Sequence, residues 1–201
     1  MTPNPCVALP TLTEVAHRAV TQALLAFPES RPVHAVDATA GNGHDTVFLA
    51  GAVRAGGVVA AFDIQAEALE ATRLRLENAG LEGRVRLVLA GHERMEAVLA
   101  ELSLSPVAAV LFNLGFLPGS DKHTVTRRET TLQALDATTR LLVPHGILAV
   151  HMYTGHPGGL EEGQAVRDWS EALPWQSWRC LTLSQHNKRK NQEWLLLAER
   201  I

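Results

Sequence analysis

The stretch from Val33 to Thr46, Val-His-Ala-Val-Asp-Ala-Thr-Ala-Gly-Asn-Gly-His-Asp-Thr, constrains the fold more than any other part of the chain. An apolar run ends at Asp37, a turn carries Gly41 and Gly43, and a helix-compatible segment follows. That order reads as a buried strand, a tight turn and a helix start. A glycine turn lets a ligand lie against bare backbone at a helix N-terminus. A second run, Val58-Val59-Ala60-Ala61-Phe62-Asp63, also ends in an acid. In doubly wound α/β folds an acid at the second strand tip holds a ribose. Residues 33–65 therefore point to a nucleoside-containing cofactor.

The rest of the chain continues the alternation. Residues 11–27 carry Leu12, Val15, Ala16, Ala19, Ala23 and Phe27 at helical spacing, and Pro28 and Pro32 end that helix. Short Val/Ala/Leu-rich runs predict strands near 33–38, 58–63, 85–90, 108–113 and 146–153, each buried on both faces. Helices are expected near 44–54, 65–79, 93–102, 124–142 and 160–173, with Gly80 closing the second of these. Residues 178–184 and 193–200 read as two strands joined by a polar tip. The expectation is a seven-stranded, mostly parallel α/β sheet with a C-terminal antiparallel hairpin and helices on both faces.

The 201 residues, 46% hydrophobic, suffice for one domain of ordinary size, so residues 1–201 are read as a single domain with a helical segment, 1–32, packed on it. Cys6 and Cys180 form no metal or redox spacing, which fits a reduced, cytoplasmic setting. The first residues lack the pattern of a secretory leader, and no apolar run reaches membrane-spanning length. At a net charge of −3, a nucleic-acid partner would need a local basic patch.

Two cofactor classes compete for the front end. A dinucleotide would require a third glycine in G-x-G-x-x-G, but Thr46 stands there. S-adenosyl-L-methionine carries no phosphate, and its sulfonium and amino-acid end suit carboxylates and amides. Asp37, Asn42, Asp45 and Asp63 supply these, and the terminal hairpin separates class I methyltransferases from dehydrogenases. Asp37 is expected beneath the methionine end or, alternatively, as a turn-ordering residue. Gly41, Asn42, Gly43 and Asp45 follow the same logic, while His44 reads equally as a surface residue. Asp63 is expected on the ribose hydroxyls with Gln65 near the adenosine, the alternative being a cap of the next helix. His92, after the third strand, contacts the adenine or caps a helix.

Several motifs resemble one family. D-A-T-A-G-N-G-H-D-T at 37–46, F-D-I-Q at 62–65, F-N-L-G-F-L-P-G-S-D-K at 112–122, and G-H-P-G-G at 155–159 followed by Glu162 are similar to tRNA wobble-uridine aminomethyl methyltransferases (MnmM-like or YtqB-like, formerly described as rRNA methylases). The resemblance spans most of the chain. It implies a class I (Rossmann-like) fold, S-adenosyl-L-methionine, a tRNA substrate, and methyl transfer to the amine of 5-aminomethyl-(2-thio)uridine at the wobble position. The chain departs from the family at Ser120, where glycine is usual, and after Asn191, where Gln192-Glu193 replaces a Pro-Pro pair.

Amine methyltransferases commonly place Asn/Asp-Pro-Pro-Tyr/Phe after the fourth strand, so that a side-chain oxygen and a carbonyl hold the amine while the ring stacks on the base. Asn113 and Phe116 occupy the matching ends, with Leu-Gly between them. Asp121 is the candidate proton acceptor, or else a helix cap or the partner of Lys122, itself a candidate substrate contact. Tyr153 is read as a base-stacking residue and His156 as a phosphate or substrate contact, the alternative being that both order their loop. Lys188, Arg189 and Lys190 concentrate charge at the hairpin tip, for phosphate binding or as a solvated tip. Neither cysteine lies at a strand tip of the parallel core, so nitrogen rather than carbon is the expected acceptor. Trp169, Trp175, Trp178 and Trp194 read as packing residues. No metal is expected, no membrane partner is expected, and a homodimer is left open. An rRNA or small-amine methyltransferase, and a non-catalytic RNA- or nucleoside-binding module, stand as the alternatives.

Overall fold

The structure, a computed structural model, describes residues 9–115, 125–188, 190 and 192–201. Helix α1 (Leu12–Leu25) opens it. The Thr11 hydroxyl accepts the Glu14 N–H at 3.2 Å and the Glu14 carboxylate accepts the Thr11 N–H at 2.7 Å. This reciprocal pair satisfies two donors that a helix start otherwise leaves open. Strands and helices then alternate: β1 (His34–Asp37), α2 (His44–Ala52), β2 (Val59–Asp63), α3 (Ala66–Ala79), β3 (Val85–Leu89), α4 (Met95–Glu101), β4 (Val107–Leu114), α5 (Arg128–Leu141), β5 (Leu142–Tyr153) and α6 (Gly159–Glu171). Strands β6 (Trp178–Ser184) and β7 (Glu193–Arg200) finish the chain.

Among the described residues these seven strands form one sheet in the order β3-β2-β1-β4-β5-β7-β6. The first five are mutually parallel, and β7 runs antiparallel to both β5 and β6. The expected mixed sheet with its terminal hairpin is therefore what the chain forms. Alternate residues of each strand serve opposite faces. Val36, Ala60, Phe62, Val110 and Phe112 join one core with Met95, Leu99, Leu135 and Val166 from α4, α5 and α6. Ala35, Val59, Ala61, Ala109 and Leu111 join the other with Val20, Leu49 and Leu76 from α1, α2 and α3. Each fully buried large side chain in these layers contributes about 1.5–3 kcal/mol. No helix among the described residues is long and apolar enough to cross a membrane.

Four sequence expectations are corrected. The 85–90 run is not buried on both faces: Arg86 and Leu89 are exposed, because β3 is the sheet's edge strand. The fifth strand begins at Leu142 rather than near 146. Val107 pairs with Leu142 but Ala109 with Ile147, so Pro144 to Gly146 form a bulge in a strand that continues through them. α5 starts at Arg128, and the described residues 125–127 before it are not helical. Trp175 is 78% exposed, not packed, unlike the buried Trp178 and Trp194.

β1 lies between β2 and β4, so the chain moves outward in opposite directions from it. Such a reversal opens a crevice beyond the carboxyl ends of the central strands.

Candidate active site

A cleft of about 920 Å³ occupies that crevice, lined by residues that follow β1, β2, β3 and β4, with Tyr153 from β5 and Thr13 from α1. Its floor is the turn after β1. Gly41 donates its N–H to Asp63 Oδ2 at 2.9 Å and its carbonyl accepts the Thr72 hydroxyl at 3.0 Å. The Asn42 carbonyl accepts Arg75 Nε at 2.8 Å. The turn is thus tied to α3 at two carbonyls. Gly43 begins α2 at φ 80°, and a Cβ there would stand 2.8 Å from Thr72 Cα. Glycine is required both by the left-handed backbone and by the contact with α3.

Gly41, Asn42, His44 and Asp45 line the cleft, whereas Asp37 and Gly43 do not. Asp37 is fully buried. Its Oδ1 accepts the Thr39 N–H at 3.2 Å and its Oδ2 the Thr46 hydroxyl at 2.6 Å, so its contacts are those of a turn-ordering residue. Burial, reinforced by the nearby Asp45 charge, pushes its carboxyl up to about 7 against the pull of these two bonds.

Asp63 closes one side of the cleft. Besides Gly41, it accepts the Gln65 N–H at 2.9 Å, and Gln65 starts α3. Each carboxylate oxygen holds one backbone donor and keeps acceptor capacity toward the cleft. Beyond it, His92 opens a 3-10 turn over residues 92–94 and packs edge-on against Phe112, ring centroids 5.5 Å apart. Burial lowers its pKa, so the ring is neutral. Its Nε2 is buried and has no hydrogen-bond partner among the described residues. A buried polar atom beside a cleft calls for a ligand group to satisfy it.

The opposite side is polar and interconnected. At the end of β4, Asn113 receives its backbone order from Thr39, whose hydroxyl accepts the Asn113 N–H at 2.7 Å. The Asn113 side-chain nitrogen donates to Asp45 Oδ2 at 2.7 Å, and His17 Nε2 from α1 meets Asp45 Oδ1 at 2.6 Å. Burial would raise the Asp45 carboxyl, but these two bonds, together with the nearby His17 and His151 rings, hold it below the ordinary range. On β5, His151 is buried and its pKa is lowered by that burial, despite Glu193 Oε2 at 3.5 Å from its Nε2. Tyr153 stacks on His151, centroids 4.3 Å apart, with its hydroxyl 3.3 Å from Nδ1. Burial pushes that phenol up to about 12, so it stays protonated.

The remaining candidates separate. His156 lies behind Gly115 rather than in the cleft lining, its Nδ1 3.0 Å from the Pro157 carbonyl. Buried Glu162 accepts the Thr126 hydroxyl at 2.7 Å and the Thr131 hydroxyl at 2.6 Å. The Thr126 N–H in turn donates to the Gly115 carbonyl at 3.0 Å. Lys188 forms an ion pair with Glu193, and Lys190 is exposed. Phe116, Asp121, Lys122 and Arg189 lie outside the described residues. Sequence reading missed His17, Thr13, Thr72 and Arg75. Each acts on the site from another helix, and nothing local in the sequence marks it. Thr39 and Thr46 stood inside the motif at 37–46, where their hydroxyl chemistry beside two acids was a readable signal.

The site agrees with what the chain is similar to. A family model described as "Putative rRNA methylase" matches residues 59–199. A chloroplast enzyme of Arabidopsis thaliana, tRNA (mnm(5)s(2)U34)-methyltransferase, is 37% identical over 184 residues, 88% of this chain. The chain spans 65% of that enzyme's length. Among solved structures, a Clostridium thermocellum protein described as "putative rRNA-methylase" superposes with a TM-score of 0.87 at 33% identity, covering 97% of this chain and 100% of the other. A Streptococcus mutans protein described as "a putative methyltransferase", in complex with SAH, superposes with a TM-score of 0.83 at 31% identity, covering 96% and 100%. With residues 59–199 under the family model and its sheet superposing on those of these relatives, the chain belongs to the "Putative rRNA methylase" family.

Proposed function

We propose that this chain is an S-adenosyl-L-methionine-dependent N-methyltransferase acting on the amine of 5-aminomethyl-(2-thio)uridine at the wobble position of tRNA, in the cytoplasm. The observation that carries the reading is Asn113. It stands at the end of β4 in the cleft, bonded through its nitrogen to Asp45, so that its amide oxygen is left to accept from an amine. The identity with the plant tRNA enzyme supports the substrate. The SAH held by the Streptococcus mutans relative supports the cofactor.

The residues present fit that cofactor. His92 Nε2 is a buried atom in want of a partner, and the Asp63 carboxylate retains acceptor capacity for ribose hydroxyls. Asn42, Gly41, Gln65 and Asp45 complete the lining on that side. When bound, S-adenosyl-L-methionine supplies an electrophilic methyl group on a sulfonium. The chain's own task is the acceptor. An alkyl amine has an ordinary pKa of about 10.4, so presenting it neutral at pH 7 costs roughly 4 to 5 kcal/mol. Asn113 orients the amine by accepting one N–H, and Tyr153 offers an aromatic face to the base. By their place after β4, Phe116 is assigned to stacking, Asp121 to accepting the amine proton and Lys122 to the substrate. Lys188, Arg189, Lys190 and His156 are assigned to the RNA backbone.

The test is incubation of the purified protein with labelled S-adenosyl-L-methionine and tRNA carrying the aminomethyl nucleoside, followed by digestion to nucleosides. Label in the methylaminomethyl product is expected. Label confined to rRNA, which the family's description favours as second reading, would replace the proposed substrate; no transfer to any RNA or amine would overturn it.

A further inference from the structure

Asp45 is held from two sides by residues far apart in sequence, and only one of them touches the cleft. We propose that His17 is a positioning residue for methyl transfer: by bonding Asp45 it fixes the Asn113 carboxamide with its nitrogen toward Asp45 and its oxygen toward the acceptor amine. This deepens the function proposed above and rests on it.

A carboxamide can present either end, because its nitrogen and oxygen have nearly the same shape. A carboxylate only accepts, so an ionised Asp45 selects the Asn113 nitrogen and turns the oxygen away. Asp45 can do this only while its own rotamer is fixed. With Oδ2 taken by Asn113 at 2.7 Å, the other oxygen is secured by His17 Nε2 at 2.6 Å. The imidazole is itself immobilised, stacked on Phe48 with centroids 3.7 Å apart and planes 5° from parallel. The Asn113 backbone is tied separately to Thr39, so its side chain has a fixed base from which to point. Titratable groups face Asp45 from the elements packed around it: His17 from α1, His151 and Tyr153 from β5, and Asp37 from β1, whose own carboxyl is pushed up to about 7. His17, like Thr13, brings α1 to a site built mainly from strand ends, and it lies outside the span matched by the family model.

Three variants test this. His17→Leu removes the donor and keeps apolar packing against Phe48. His17→Phe does the same while keeping the ring stack, and serves if the leucine variant does not fold. His17→Gln places an amide N–H where Nε2 stands. In ¹⁵N-labelled protein with neither cofactor nor RNA, the Asn113 side-chain amide signals are expected to move and exchange faster in H17L or H17F, and to return in H17Q. In methyl transfer to tRNA, kcat is expected to fall about ten- to hundred-fold in the donorless variants, the range for losing one hydrogen bond to a charged group, with KM little changed. The acid limb of the kcat profile is expected to move to higher pH, because Asp45 loses one of the bonds that hold its carboxyl low. H17Q is expected to restore rate and profile together. An unmoved Asn113 amide in a folded donorless variant overturns the proposal, as does an unchanged kcat; so does a lower melting temperature with neither readout altered. If the wild-type protein methylates no tRNA, the functional reading fails, while the amide signals still decide whether His17 positions Asn113.

Discussion

Asp37→Asn is expected to make the protein more stable in mild alkali. In the unfolded chain an aspartate titrates near 3.8; in the fold, burial and the neighbouring Asp45 charge push Asp37 up to about 7. Between those values the native state holds a proton that the unfolded chain has released, so stability falls as pH rises from about 4 to about 7 and is level above that. At 1.36 kcal/mol per pH unit, the ionised Asp37 costs about 4 kcal/mol at pH 8 relative to pH 4. Asparagine does not ionise. Its oxygen still accepts the Thr39 N–H at the Oδ1 position, and the Thr46 hydroxyl can turn to accept from its nitrogen. The variant should match the wild type near pH 4 and exceed it by up to about 4 kcal/mol near pH 8. Urea unfolding of both proteins across that range gives the difference directly, because every other titrating group cancels. Parallel pH curves for the two proteins would refute the reasoning, as would a variant less stable at all pH values.

Three further outcomes follow from the same geometry. Gly43→Ala should cost about 2 kcal/mol or more, since alanine resists a positive φ and its Cβ would press on the Thr72 backbone; a thermal or urea melt reads it. Asp63→Asn should weaken SAH binding about ten- to hundred-fold by calorimetry, because a neutral amide accepts more weakly from ribose hydroxyls and has one acceptor oxygen rather than two. Glu162→Ala strips two threonine hydroxyls, one fully buried, of a charged acceptor and should cost about 3 kcal/mol, measured by urea unfolding.

Much of the architecture was legible because it is encoded locally. The runs ending in Asp37 and Asp63, the glycine turn and Gly80 at the end of α3 each carry their structure in a few adjacent residues. The Pro144–Gly146 bulge was missed, and the strand begun only near 146, because the ladder that carries β5 through it is supplied by β4, distant in sequence. The cleft was readable at Asp63, whose strand-tip place follows from the pattern. Asp37 looked like its equal in sequence and shares its face of the sheet, yet it pairs with Ala61, two residues short of Asp63, and is sealed beneath the turn by a register that only the strand pairing reveals. His17 and Thr72 were invisible for a related reason: their contacts exist only once α1 and α3 have packed on the sheet.

The hydrogen bond from Thr126 to Gly115, backed by Glu162, has a consequence for how such a protein can diversify. It makes the exit from β4 and the approach to α5 neighbours, so residues 116–124 join two points that are already held together. Exchanging that stretch for one of different length asks nothing new of the sheet, and each doubling of its length adds only about 0.6 kcal/mol of closure entropy. The half of the cleft built on Asp63 and His92 would be undisturbed. The length of chain between Gly115 and Thr126 can therefore change while the cleft beside Asp63 and His92 is inherited intact.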